Sequence, residues 1–322
     1  MIKLVVQIPC YNEESTLGLV VNSIPRKIDG VDKVEIMIID DGSKDKTIDV
    51  AKKLGVDHIV RHRKNKGLAA TFYDGVQEAL RLGADIIVNT DGDNQYPQED
   101  IPKLIKPILD GEYEIVIGDR QTATISHFSP LKKMLQKIGS SLVNKAAGTN
   151  IPDAVSGFRA YSRSAAMDLN VVTTFSYCTE TIIHAGKKRV PITYVPVKTN
   201  PKTRESRLFK NMYQHIYQST LTIFRSYSMH EPFKVFMTGG ITLLVLGSVP
   251  FMRYLYLAVV RGDAPGGHIQ SLLLGAVLVL LGFLVMALGI LADLMAINRK
   301  LQEETLHKLR QLQYGENSQK KD

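Results

Sequence analysis

Cysteine occurs only twice in the 322 residues, and neither Cys10 nor Cys178 stands in a C-x-x-C or other metal-type spacing. No disulfide framework is indicated. Neither a G-x-G-x-x-G run behind a strand pattern nor a G-x-x-x-x-G-K-[ST] run is present. Dinucleotide-dependent dehydrogenase and P-loop chemistry are thereby excluded. Internal repeats and low-complexity tracts are also missing. The opening Met1-Ile2-Lys3-Leu4-Val5-Val6-Gln7-Ile8-Pro9 lacks the basic region, long apolar stretch and small-residue cleavage site of a secretory leader. The front part of the chain is therefore expected in the cytosol.

Charge is abundant and biased, with a formal net charge of +8. A basic balance admits nucleic acid, anionic lipid or phosphorylated substrates as partners. Hydropathy decides among them. Phe233 to Leu257 is apolar apart from Gly239, Gly240, Pro250 and Arg253, and Ser271 to Leu291 carries no charge at all. Each run matches the length needed to cross a bilayer, so a two-helix membrane hairpin is expected and a nucleic-acid partner is not. Two buried helices of a soluble domain are the alternative. Arg225, Lys234, Arg299 and Lys300 flank the hairpin on the proposed cytosolic side, whereas Arg253 and Arg261 fall in the loop assigned to the far side.

Ahead of the hairpin the pattern is β-α-β-α. Lys3 to Ile8, Val34 to Ile39, His58 to His62, the apolar run from Ile86 that stops at Asp91 and Asp93, and Tyr113 to Gly118 read as strands. Helical stretches lie between them, which predicts a parallel sheet covered on both faces. Three strand patterns end in acidic or polar residues: Asn12 and Glu13, Asp40 and Asp41, Asp91 and Asp93. Open α/β sheets bind ligands at this edge. Paired carboxylates with the neighbouring Gln95 amide suit a hard divalent cation, held jointly with a substrate's phosphates. Asp, Asn and Gly also make ordinary turns and helix caps, and that reading competes at each end taken singly.

Six stretches, in order, carry a resemblance: Ile8-Pro9-Cys10-Tyr11-Asn12-Glu13-Glu14, Asp40-Asp41-Gly42-Ser43, Asn65-Lys66-Gly67, Asp91-Gly92-Asp93-Asn94-Gln95, Gly118-Asp119-Arg120 and Ser156-Gly157-Phe158-Arg159. This series resembles the family 2 glycosyltransferases, and among them the polyprenyl-phosphate enzymes typified by dolichol-phosphate mannosyltransferase. The resemblance implies a GT-A (Rossmann-like) α/β nucleotide-sugar domain. It implies that Pro9, Tyr11, Asn12 and Glu13 line the nucleotide, with Asp41, Asn65 and Gly67 beside them. Asp91, Asp93 and Gln95 would then set Mg²⁺ or Mn²⁺ on the diphosphate. Arg120, Lys132, Lys133, Arg159, Arg204 and Arg207 would meet the acceptor phosphate. Gly-Asp-Arg stands where Gly-Ser-Arg is commoner, and Asp-Gly-Asp-Asn-Gln where mannosyl enzymes carry Asp-Ala-Asp-Leu-Gln, which counts against mannose.

The expected organisation is a glycosyltransferase domain over residues 1–204, an amphipathic interfacial region over 205–232, two membrane helices over 233–293 and a cytosolic helix and tail over 294–322. That last helix packs either on its own cytosolic domain or against a second subunit. The reaction implied is inverting transfer of one sugar from UDP-glucose, UDP-N-acetylglucosamine or GDP-mannose to dolichyl or undecaprenyl phosphate. An ionised phosphate is its own nucleophile, so no general base is required. Glu180 reads equally well as an acid in a helix's first turn. A processive polysaccharide synthase is excluded, because its Gln-x-x-Arg-Trp motif cannot occur in a chain without tryptophan. A membrane-anchored nucleotide-sugar-binding scaffold is the remaining alternative.

Overall fold

The computed structural model describes residues 1–122, 130–171, 177–201, 212–261 and 269–319. The chain divides into two compact units, one made of Met1–Ser226 with Thr305–Asp322 and the other of Tyr227–Glu304. The first is built on a seven-stranded sheet: β1 (Lys3–Cys10), β2 (Lys33–Asp40), β3 (His58–Arg61), β4 (Ile86–Asn89), β5 (Ile115–Asp119), β6 (Arg159–Ser162) and β7 (Ile192–Pro196), in the order β3-β2-β1-β4-β6-β5-β7. Neighbours pair in parallel except at β6, which runs antiparallel to both β4 and β5. The expected all-parallel sheet is thus a mixed one. Nothing in the short Arg159-Ala160-Tyr161-Ser162 run distinguishes the two directions, because side-chain alternation is the same in both.

β1, β2 and β4 are Val- and Ile-rich because both of their faces are covered. Leu4, Val6 and Ile8, with Ile36 and Ile38, join a core cluster containing Leu17 and Val20 of α1 (Leu17–Ser23), Ala51 of α2 (Thr47–Lys53) and Leu104 and Ile105 of α4 (Ile101–Leu109). On the other face lies α3 (Leu68–Arg81), which buries Phe72, Val76 and Ala79 and brings Gly75 against Gln7 and Ile39. Beyond β5 come α5 (Pro130–Ala147), α6 (Arg163–Asp168) and α7 (Tyr177–Lys188). A Cβ on Gly186 of α7 would stand 2.2 Å from the Ala147 carbonyl oxygen, so α5 and α7 meet at backbone distance.

After α8 (Met212–His230) the chain forms α9 (Pro232–Leu255), a short π-helical turn (Tyr256–Val260), and then α10 (Ile269–Gln319). α10 is one continuous helix of 51 residues, where the sequence pattern suggested a separate cytosolic helix within 294–322. No proline interrupts 269–319, so nothing forces a break. In the second unit α9 and α10 pack through glycines. A Cβ on Gly240 or Gly247 would lie 2.9 and 3.0 Å from the Gly282 and Gly275 carbonyl oxygens, and one on Gly289 would meet Phe236. Large apolar side chains such as Val245, Val249, Leu280 and Phe283 are exposed.

Within the first unit, the end of α10 packs on α3 and α6. The buried Arg310 donates from Nη1 to the carbonyls of Met167 (2.7 Å) and Leu169 (2.9 Å), and from Nη2 to the Tyr73 hydroxyl. Tyr314 donates to Gln77 Oε1 (3.1 Å), Arg163 donates to the Tyr314 carbonyl (2.9 Å), and His307 pairs with Asp168 (2.7 Å).

Candidate functional site

The four strands β1, β2, β4 and β5 end at one edge of the sheet. Because β6 is antiparallel, its first residue, Arg159, lies at that edge too, opposite Asn89 and Ile117. All six stretches picked out by sequence therefore reach the same rim or the loops just above it. Asn12 (φ 57°), Asn94 (φ 59°) and Gln121 (φ 50°) hold left-handed backbone in the loops after β1, β4 and β5. Such conformations cost on the order of 1 kcal/mol for a non-glycine residue and collect at functional sites.

One half of the rim is a frame of backbone and carboxylate contacts. Asn12 N–H donates to Ser43 Oγ (2.9 Å), while Lys44 N–H donates to Asn12 Oδ1 (2.8 Å). Glu13 N–H donates to Thr47 Oγ1 (2.8 Å), and Thr16 Oγ1 donates to Glu13 Oε2 (2.9 Å). The loops after β1 and β2 are thus laced together. Asp41 is buried and accepts from the amides of Lys66 (2.8 Å) and Gly67 (2.9 Å) and from His62 Nδ1 (2.8 Å). Gly42, at φ +74°, leaves room for this loop: a Cβ there would stand 2.9 Å from the Lys64 carbonyl carbon. Tyr11 and Asn65 are exposed at the rim. Pro9 lies inside β1 but beyond the last β1–β4 pair, Gln7 with Asn89, so its missing N–H costs no rung of that ladder.

The other half centres on Asp91-Gly92-Asp93. A Cβ on Gly92 would come 3.2 Å from both Cys10 Sγ and Glu13 Cγ. On the far side, a Cβ on Gly157 would lie 3.0 and 3.1 Å from the Asp91 oxygens and 3.1 Å from the Tyr177 hydroxyl. The acidic turn is therefore clasped between the loop after β1 and the loop before β6. Asp93 Oδ1 accepts from Gln95 N–H (3.1 Å), and Asn200 ties down the Asn94, Gln95 and Tyr96 carbonyls. Beneath it runs a buried polar chain in which Gln7 donates to Asn89 Oδ1 (3.0 Å) and Asn89 donates to the Gly157 carbonyl (2.8 Å) and the Tyr177 hydroxyl (2.9 Å). Gly157 N–H donates to the Tyr96 hydroxyl (2.9 Å), and Tyr177 stacks on Phe72 at 3.9 Å. Sequence reading missed this support, although polar Gln7 and Asn89 inside fully buried strands were its signal.

Arg120 forms a bidentate pair with Asp153, at 2.6 and 3.0 Å, and Gln136 also donates to Asp153 (3.1 Å). Burial disfavours charge on both partners, yet the pair keeps the Arg120 guanidinium charged and holds the Asp153 carboxyl below the usual carboxylate range. The Asp91 charge also favours the charged Arg120 guanidinium. Burial pushes the neighbouring Asp119 carboxyl upward. Lys133 is half-buried on α5.

Arg159 does not join this group. It is 0% exposed, donating to the carbonyls of Ser156, Cys178 and Ala154 and to Thr181 Oγ1. The expectation that it meets an acceptor phosphate is corrected: it staples the loop carrying Gly157 to the start of α7. Arg204, Arg207 and the Lys132 side chain lie outside the described residues.

Among the described residues no set of three or more His, Cys, Asp and Glu side chains converges to hold a metal unaided. Two carboxylates with an adjacent amide nevertheless fit a hard cation that completes its shell with substrate oxygens.

The family model described as Glycosyl transferase family 2 matches residues 5–169. Over 213 residues the chain is 33% identical to UDP-N-acetylglucosamine–dolichyl-phosphate N-acetylglucosaminyltransferase of Methanococcus voltae, covering 60% of this chain and 83% of that one. It is 25% identical to Glycosyltransferase AglJ of Haloferax volcanii over 94% of its own length and 96% of the other's. Among solved structures, glucosyl-3-phosphoglycerate synthase from Mycobacterium tuberculosis, in complex with Mn²⁺, UDP-glucose and phosphoglyceric acid, superimposes with a TM-score of 0.55. That match has 22% identity and covers 69% of this chain and 79% of the other.

Proposed function

Because the chain belongs to glycosyl transferase family 2, we propose that it transfers one sugar from a nucleoside diphosphate sugar to a polyprenyl phosphate, with inversion at the anomeric carbon. The observation that carries this reading is the Asp91-Gly92-Asp93 turn clasped between Glu13 on one side and Gly157 and Tyr177 on the other. The acceptor class rests on the dolichyl-phosphate relative, whose name also makes UDP-N-acetylglucosamine the first donor to try ahead of UDP-glucose and GDP-mannose.

Pro9, Tyr11, Asn12 and Glu13, with Asp41, Asn65 and Gly67, enclose the nucleotide. Asp91, Asp93 and Gln95 are the residues that would hold Mg²⁺ or Mn²⁺, which when bound supplies charge stabilisation for the departing diphosphate. Arg120, fixed in direction by Asp153, and Lys133 attract the acceptor phosphate, joined by Lys132, Arg204 and Arg207. An ionised phosphate oxygen attacks directly, and the protein's contribution at that centre is to hold it in line.

The acceptor lipid requires a membrane. The most apolar 18-residue stretches of Pro232–Val260 and of Ile269–Tyr314 within α10 have mean hydropathies of 1.8 and 2.8. We assign their apolar parts as a two-helix anchor, with the catalytic unit on the cytoplasmic face. On α5, Met134, Ile138 and Leu142 are exposed one turn apart beside Lys137, as suits a helix facing lipid.

The test is incubation of detergent-purified protein with polyprenyl phosphate, Mg²⁺ or Mn²⁺ and a panel of UDP- and GDP-sugars, with the lipid product detected by mass. A single monoglycosylated lipid phosphate is expected, abolished by EDTA and reduced roughly 100-fold or more by Asp93→Asn. Nucleotide binding with no transfer from any donor would establish the non-catalytic scaffold instead.

A further inference from the structure

His62 was not singled out by any sequence motif, yet its imidazole is buried beside the rim. Its Nδ1 lies 2.8 Å from Asp41 Oδ1 and its Nε2 3.0 Å from Asp74 Oδ2. The two carboxylates come from different places, the residue just after β2 and the middle of α3. Asp74 also pairs with Lys66 Nζ at 2.8 Å. Asp41 in turn accepts the backbone amides of Lys66 and Gly67. One imidazole therefore joins β2, α3 and the loop between β3 and α3 into a single polar brace.

That loop needs bracing. Arg63, Lys64, Asn65 and Lys66 are all exposed, so burial does little to fix them. Gly67 begins α3 at φ +91°, outside the helical region. The loop passes over Gly42 at backbone contact distance, so its height above the rim is set by how firmly Asp41 is held. Asp41 has two oxygens serving three donors, and its orientation changes if the imidazole is removed. Asp74 Oδ2 stands 3.0 Å from Nε2, at ion-pair distance though without hydrogen-bond geometry, and so backs the ring on the side away from Asp41.

We propose that His62, held by Asp74, is a positioning residue for donor binding: it fixes Asp41 and thereby the Asn65-Lys66-Gly67 loop against the nucleotide. This rests on the nucleotide-sugar reading above. The ring is buried, with 5% of its side chain exposed, so its loss acts through Asp41 on affinity and not on the transfer step.

The experiment compares wild type with His62→Leu, His62→Gln and Asp74→Asn in the full-length protein. It measures the Kd of UDP or GDP, whichever the wild type binds, alongside donor KM and kcat. Removing a buried charge-assisted contact predicts a rise of about 10-fold in nucleotide Kd and donor KM for His62→Leu, with kcat changed less than about 2-fold. His62→Gln, which can still donate to one carboxylate, recovers part of the affinity. Asp74 is 37% exposed at its side chain, so Asp74→Asn tests the brace even where His62→Leu does not fold. Nucleotide Kd unchanged in folded Asp74→Asn and His62→Gln overturns the proposal, as does a fall in kcat with KM unchanged. A wild type that binds nucleotide but transfers no sugar defeats the functional reading alone, because nucleotide Kd still reports on the brace.

Discussion

At the scale of single residues, the acidic turn is defined as much by what is small around it as by its carboxylates. Gly157 lets the Asp91 oxygens and the Tyr177 hydroxyl approach within 3.1 Å of where a Cβ would sit. Gly157→Ala is expected to push the Asp91 carboxylate out of place and weaken Mn²⁺-dependent activity about 10-fold or more, read from the Mn²⁺ concentration needed for half-maximal rate. A second residue matters to stability alone. Glu35 is buried among Lys3 (2.7 Å), Lys33 (2.7 Å) and His58 (2.8 Å). Burial raises its carboxyl pKa, but these partners together hold it down at about 2, against an ordinary 4.5. A depressed folded-state value stabilises fully above the unfolded pKa and is lost as pH falls through the folded one. Wild type should therefore lose on the order of 2 kcal/mol between about pH 4.5 and pH 2 from this group, and Glu35→Gln should flatten that part of the stability profile. Arg159 shows where residue-level reading stopped. An arginine beside a Ser-Gly-Phe turn reads as a surface cation, and only the fold reveals that four oxygens wait for it inside.

At the scale of elements, periodicity and breakers placed most of the sheet and helices. β1, β2 and β5 overlap the strands read from the sequence. The direction of β6 and the length of α10 were not legible, because pairing direction and helix continuation are decided by contacts distant in sequence. The docking of α10 on α3 and α6 is such a contact. Arg310 donates to carbonyls at the end of α6, where the helix dipole also favours a cation, and its guanidinium lies 5.7 Å from the centre of the Tyr73 ring. Arg310→Ala is expected to cost the catalytic unit roughly 2 kcal/mol by leaving those carbonyls unpaired, measured as an earlier denaturant midpoint for nucleotide-protected unfolding. An unchanged midpoint would make the contact incidental.

At the scale of the whole molecule, the sequence carried the division between a polar α/β front and an apolar pair of helices, together with the strand ends where the candidate site lies. It did not carry the brace at His62, the amide chain under Asp91 or the pairing of Arg120 with Asp153, since these link positions 12 to 88 residues apart through single side chains. It also did not carry the discontinuity of the catalytic unit, which is completed by residues 305–314 after the intervening 227–304. This order has a consequence for biogenesis. A growing chain folds from its N-terminal end as it emerges from the ribosome, so the sheet and α1 to α7 are available early. Arg310 and Tyr314 arrive only after both apolar helices have been synthesised. Until then the Met167 and Leu169 carbonyls and the Tyr73 and Gln77 side chains await partners, and the transferase matures last at the face that its own trailing segment closes.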